Sequence, residues 1–147
     1  KSDNIFDYPA EKELYIRERI EYIKKKSENS NDDFKIVVFD LYDIMIDILK
    51  KKGYLENVTT LKRREDLTEY QNQSEYAQDN IIRQLAINYI EENTPEKSVV
   101  FIIGIGKCYP ILRSHSVLNN LHQMIDTVPV VMFYPGITTG RNLYFLE

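Results

Sequence analysis

Apolar residues run almost without interruption through three segments of the chain, 34–39, 98–103 and 128–134. These runs are rich in Val, Ile and Phe, which is typical of strands in parallel sheets that carry helices on both faces. The pattern predicts 34–39 as an interior strand and 98–103 as the centre of the sheet. A shorter apolar stretch at 4–8 ends at Pro9 and predicts a further strand.

Between these segments, apolar residues recur at helical spacing. The spacing predicts an amphipathic helix after Pro9 and a second helix over 41–52, which Gly53 ends in a C-cap position. It also predicts helices over 74–93 and from about 109 to 124. Three weaker expectations concern a loop over 54–73, a short helix near 61–66 and an edge strand at 142–146.

Strands that alternate with helices predict βαβ units and a parallel sheet. We therefore expect one α/β domain over residues 1–147. Its fold class is a three-layer, mostly parallel, Rossmann-like or P-loop-like sheet flanked by helices, without a functional Walker A motif.

Composition narrows the class of protein. The 147 residues include 43% hydrophobic and 29% charged residues, a globular balance, and the formal net charge is −4. That charge disfavours direct nucleic-acid binding, although lysine runs at 24–26 and 50–52 form local basic patches at predicted helix ends. A single cysteine and the lack of a long apolar run favour a cytoplasmic protein without a membrane segment.

A glycine loop, Gly104-Ile105-Gly106-Lys107-Cys108, follows the predicted central strand. Glycines between a strand and a helix can let backbone N–H groups approach a phosphate. The P-loop spacing fails, however, because Phe101 occupies the position of its first glycine and Cys108 that of its hydroxyl residue. We favour a tight turn at the switch point of a doubly wound sheet and keep phosphate binding as the alternative.

Two groups of residues resemble metal sites. Asp40, Asp43 and Asp47 share a helical face, but acidic residues also favour helix N-termini, and Asp47 can pair with Lys50 or Lys51. Cys108, His115 and His122 are seven residues apart, about 10.5 Å along a helix, and cannot share one ion. We therefore expect no metal and no cofactor.

A polar segment follows the glycine loop, and its composition is unusual for a solvated helix. It contains Arg113, Ser114, His115, Asn119 and Asn120. Solvated helices ordinarily use Glu and Lys, whereas Ser and Asn are poorer helix formers. These side chains either hold neighbouring loops through buried hydrogen bonds or form a recognition surface at the carboxyl edge of the sheet.

In context, GIGKCYPILRSHSVLNNL followed by VPVVMFYPG resembles the BrxB family of bacterial bacteriophage-exclusion (BREX) defence systems. The segments FDY at 6–8 and FDLYD at 39–43 extend the resemblance over most of the chain. It implies a phage-resistance component that works beside a large ATPase, an alkaline-phosphatase-like protein and a DNA methyltransferase. The sequence departs from the family pattern after Pro135-Gly136, where Ile137, Thr138 and Thr139 replace an expected acidic and aromatic pair.

The resemblance supplies a signature but no catalytic residues. The candidate partner- or ligand-binding residues are Gly104, Gly106, Tyr109, Arg113, Ser114, His115, Asn119 and Asn120. We expect a non-enzymatic assembly or adaptor subunit that contacts partner proteins. The alternative is a degenerate nucleotide-binding or phosphoryl-handling domain that uses the Gly104 to Gly106 loop, with Arg113 as charge partner and Asp40 near a metal.

Overall fold

The computed structural model describes residues 4–31, 33–53, 76–121, 124 and 126–136, with the backbone alone described for 76–78. The strands are β1 (Ile5–Tyr8), β2 (Lys35–Asp40), β3 (Ser98–Ile103) and β4 (Val130–Pro135). The helices are α1 (Glu13–Glu28), α2 (Leu41–Lys51), α3 (Tyr76–Glu92) and α4 (Ser114–Asn120). Short 3₁₀ turns at Ala10–Lys12 and Ile105–Lys107 precede α1 and follow β3.

The four strands form one parallel sheet in the order β1-β4-β3-β2. Tyr8 is paired with Pro135, and Asp40 with Ile103, so the carboxyl ends of all four strands lie along one edge. The predicted fold class, an α/β protein with a parallel sheet flanked by helices, is confirmed. This carboxyl edge is where open parallel sheets place their ligands and partners.

The two faces of the sheet are packed differently. Side chains of α2, α3 and α4 cover one face, where Val100, Ile102 and Met132 are buried with Met45 and Leu49 in a continuous core. The other face carries α1, which packs mainly on β2. Ile20 is the one residue of α1 that is buried there.

Helix α2 begins at Leu41, as the sequence predicts, and ends at Lys51, one residue before the predicted end. The side chain of Asp40 accepts hydrogen bonds from the backbone N–H groups of Tyr42 and Asp43, which makes it the N-cap. Gly53 follows the last turn with a φ of 80°, a conformation that favours glycine. Asp47 pairs with Lys51 at 2.9 Å, as its spacing predicted.

The prediction that 34–39 is an interior strand is wrong. Among the described strands β2 lies at an edge, next to β3 alone, whereas β3 and β4 are interior. Phe39 is buried in the core, and Ile36 and Val38 are half-buried on the α1 side. The continuous apolar sequence of this strand reflects the burial of its two faces. A strand can be covered on both faces and still have a neighbouring strand on one edge alone.

The predicted helix from about 109 to 124 is also wrong in extent, because α4 includes only Ser114–Asn120. Residues 105–112 form a 3₁₀ turn and further turns, and the Tyr109-Pro110 bond is cis. Proline lacks an N–H group and its ring disfavours helical geometry in the preceding residue, so the helix begins only after it.

Some expectations fall on parts of the chain that the structure does not describe. The loop predicted over 54–73, the short helix near 61–66 and the edge strand at 142–146 lie outside the described residues. Among the helices that are described, none is long and apolar enough to cross a bilayer.

Candidate functional site

Gly104 begins the loop after β3 and lies against the carboxylate of Asp40. Its φ is 86°, in the left-handed region, and a Cβ placed on it would overlap Oδ1 of Asp40. A Cβ on Gly106 would approach Cγ of Pro135 to 2.9 Å. Both glycines are therefore required for close packing of the carboxyl ends of β2, β3 and β4.

Asp40 lies at the centre of these contacts. Its Oδ1 accepts hydrogen bonds from the N–H of Tyr42 at 3.0 Å and of Asp43 at 3.3 Å, and its Oδ2 lies 3.3 Å from Nη1 of Arg17. The carboxylate is thus held by the N-terminus of α2 and by a guanidinium of α1. Burial, followed by the Asp40 charge, raises the pKa of Asp43 above its ordinary value.

A second carboxylate links α1 to β1. Glu13 accepts a hydrogen bond from the hydroxyl of Tyr8 at 2.6 Å and another from Nε of Arg17 at 2.5 Å. Burial alone would raise the pKa of Glu13, but the hydrogen bonds from Arg17 and Tyr8 lower it below its ordinary value. Burial and the hydrogen bond to Glu13 raise the pKa of Tyr8, so this phenol stays protonated.

Cys108 does not have the environment of a nucleophile. The side chain is fully buried, and its thiol lies 3.5 Å from the carbonyl oxygen of Gly104, to which it can donate. Burial, reinforced by the charges of Asp40 and Asp43, raises the pKa of the thiol. Cysteine reacts as the thiolate, so this residue is an internal packing residue.

The remaining signature residues divide between the interior and the surface. Ser114 is buried and His115 is half-buried, whereas Arg113, Asn119 and Asn120 are exposed. The guanidinium of Arg113 lies 5.1 Å from the ring centroid of Tyr109, a cation–π contact that holds both side chains. The amide of Asn120 donates to the carbonyl of Ser116 at 2.7 Å.

A polar cavity of about 280 Å³ lies between the first turns of α3 and the segment around α4. Its walls come from Asp79, Asn80, Arg83, Pro110, Ile111, Arg113 and Ser116. The cavity joins four residues of the segment on which the family resemblance rests, Pro110, Ile111, Arg113 and Ser116, to three polar residues of α3. A larger groove of about 590 Å³ runs between α2 and α3, but it contains none of the predicted site residues.

Sequence reasoning missed the α3 residues of this cavity and the Tyr8, Glu13 and Arg17 network. The sequence did contain one signal. Asp79 lies on the same helical stripe as the buried Ile82 and Ala86, where an amphipathic helix normally has an apolar residue. Glu13 and Arg17 are also one turn apart on the inner side of α1. Their link to Asp40 joins residues 23 positions apart, which helical spacing cannot reveal.

What the site can do chemically follows from these groups. The carboxylates of Glu13 and Asp40 bind a guanidinium, a phenol and a helix N-terminus of the same chain. Among the described residues, no group of His, Cys, Asp and Glu side chains could hold a metal ion. The surface next to these carboxylates presents an arginine, a tyrosine and two side-chain amides, and arginine and tyrosine are enriched in protein–protein interfaces.

We expect Gly104→Ala to destabilise the fold more than Gly53→Ala. Both glycines have a left-handed φ, so each substitution costs about 1–2 kcal/mol in backbone strain. At Gly53 a Cβ would meet nothing within 4 Å, whereas at Gly104 it would meet Asp40. Urea unfolding of both variants measures the difference, and equal losses would mean that the Asp40 contact is unimportant.

The Glu13 network predicts a pH dependence. Because the pKa of Glu13 is lowered on folding, its ionised form stabilises the protein above the ordinary value of 4.5, and this contribution is lost as the pH falls through the folded value. Glu13→Gln should therefore lower the free energy of unfolding at pH 7. At pH 3 the difference in unfolding free energy between the variant and the wild type should be smaller. Glu21→Gln, on the exposed side of the same helix, is the control; a gap that stays constant with pH would contradict the prediction.

Comparison with known proteins identifies the family of this chain. The family model described as "BREX protein BrxB" matches residues 37–147. A BREX protein BrxB of Bacillus cereus (strain H3081.97) is 37% identical over 140 residues, which are 95% of this chain and 72% of the relative. One of Escherichia coli O9:H4 (strain HS) is 31% identical over 148 residues, covering 95% of this chain and 68% of that protein. No solved structure matches significantly. On these matches, the chain belongs to the BrxB family of BREX proteins.

Proposed function

We propose that this BREX component is a non-enzymatic assembly or adaptor subunit, which binds other proteins of the phage-defence system through the carboxyl edge of its sheet. Membership of the BrxB family makes it a component of a BREX system. One observation supports the adaptor role. The two loop glycines and Cys108 are packed inside the protein, whereas Arg113 and the two asparagines that follow it face solvent.

The exposed part of the signature has the chemistry of a protein interface. Arginine and tyrosine are over-represented among the residues that contribute most binding energy, and Arg113 is already oriented on the ring of Tyr109. An oriented side chain loses less conformational freedom on binding than a mobile one. The adjacent polar cavity offers space for a side chain of the partner.

The candidate partners are those that the family resemblance implies, a large ATPase, an alkaline-phosphatase-like protein and a DNA methyltransferase. Contact with DNA itself is not expected, because the chain carries a net charge of −4.

Pull-down with purified BREX proteins tests the adaptor role. Arg113→Glu should weaken the binding of at least one of them by about tenfold or more, since interface arginines commonly contribute more than ~1.4 kcal/mol. Lys50→Glu, an exposed substitution of similar kind on α2, is the matched control and should bind as the wild type does. If the wild-type chain retains none of these proteins, the adaptor role is wrong.

The second candidate function, nucleotide or phosphoryl binding at the Gly104 to Gly106 loop, meets a specific obstacle. The carboxylate of Asp40 occupies the space beside Gly104, and its negative charge opposes a phosphate there. We therefore expect isothermal titration with ATP or GTP and magnesium to give no binding heat. A saturable heat that Gly106→Ala abolishes, in a variant shown to be folded, would instead support the phosphoryl-binding role.

A further inference from the structure

Arg83 is a half-buried arginine of α3 that lacks a counter-charge in the described part of the chain. Its Nε is shielded from water and has no hydrogen-bond partner, and no hydrogen bond or ion pair among the described residues involves its guanidinium. Arginine side chains are seldom buried without a paired acid, because removing a charge and its donors from water is destabilising. This guanidinium is therefore suited to an acceptor from outside the chain.

A second guanidinium lies at the same cavity. Arg83 lies on the α3 wall of the polar cavity of about 280 Å³, and Arg113 lies on the other wall, in the segment before α4. Arg113 is exposed, and its contact with the ring of Tyr109 at 5.1 Å holds it beside the cavity. Two positive charges from separate elements thus act on one space.

The charges on the cavity walls favour a ligand with a single negative charge. Asp79 is the one acid among the described residues that line the cavity, and it is buried. Two arginines and one aspartate leave a net charge of one positive unit on these walls. Asp79 also lies in the first turn of α3, where the partial positive charge of the helix N-terminus offsets part of its own charge.

A carboxylate fits these groups better than a phosphate does. A guanidinium binds a carboxylate through two parallel N–H···O bonds, with one negative charge against one positive charge. A phosphate monoester carries about 1.5–2 negative charges at pH 7, and Asp79 would repel the excess. A nucleic acid would bring a row of phosphates to a chain of net charge −4.

We propose that the polar cavity is a carboxylate-binding site, in which Arg83 pairs with an aspartate or glutamate side chain of the partner protein. Arg113 supplies a second positive charge, and the walls also contain the amide of Asn80 and the hydroxyl of Ser116, which are potential donors to the carboxylate. This inference rests on the adaptor role and adds the chemistry of the partner, an acidic side chain that projects from its surface into the cavity.

Arg83→Met separates partner binding from folding. Methionine keeps an unbranched side chain but removes the charge and the donors. Because Arg83 has no counter-charge among the described residues, the variant should unfold at the same temperature as the wild type or at a higher one. It should bind the retained BREX protein at least about tenfold more weakly. Arg19→Met, which removes an exposed arginine from α1, is the matched control and should bind as the wild type does.

Titration with sodium acetate tests the cavity without a partner protein. Nuclear magnetic resonance can follow the Nε–H signal of Arg83, which is protected from exchange because the nitrogen is shielded from water. The signal should shift to saturation with a dissociation constant in the millimolar range, since so small a ligand makes few contacts. Sodium chloride at equal ionic strength should not produce this shift. In Arg83→Met the backbone signals of Asn80 and Ser116 should no longer respond to acetate.

The outcomes distinguish this inference from the adaptor role. A partner that Arg83→Met binds as tightly as the wild type overturns the carboxylate site and leaves the adaptor role intact, and so does a wild-type cavity that acetate does not saturate. Tighter binding of inorganic phosphate than of acetate also overturns it, as does a clear fall in the unfolding temperature of Arg83→Met. Acetate binding in a chain that retains no BREX protein overturns the adaptor role, and with it the assignment of the carboxylate to a partner.

Discussion

The carboxylate of Asp40 connects the segments that meet at the carboxyl edge of the sheet. It ends β2, caps α2, receives Arg17 from α1 and occupies the space that only a glycine leaves at position 104. Partial burial of a carboxylate is destabilising unless its charge is compensated, and here a helix N-terminus and a guanidinium provide that compensation. The position of α1 and the shape of the loop after β3 therefore both depend on this one group.

The same arrangement explains why the glycine loop is not an open phosphate cradle. In such a cradle the glycines leave room for a ligand, whereas here they leave room for Asp40 and Pro135 of the chain itself. The loop in turn directs the Tyr109-Pro110 segment towards α3, and Arg113 lies at the surface beside it. Rigid internal packing thus supports an exposed patch suited to recognition.

The two faces of the sheet have different roles in this protein. On the side of α2, α3 and α4 the apolar residues are consumed in a continuous core, which positions the signature residues. On the other side only Ile20 of α1 is buried, and the helix leaves two tyrosines in solvent. The helix is held at one end by Glu13 and Arg17, whose contacts with Tyr8 and Asp40 fix its orientation on the sheet.

Local patterns in the sequence determined the parallel α/β class, the bounds of α2 and the glycine turn, because apolar runs, caps and turn residues act over a few neighbouring positions. These local patterns did not predict that β2 lies at the edge of the sheet, because the burial of a strand's faces does not indicate which strands lie beside it. Only the tertiary structure joined Tyr8, Glu13, Arg17 and Asp40, and only it brought Asp79 and Arg83 to Arg113. These contacts join parts of the chain that are distant in sequence. They depend on how the strands and helices pack together and not on any local spacing of residues.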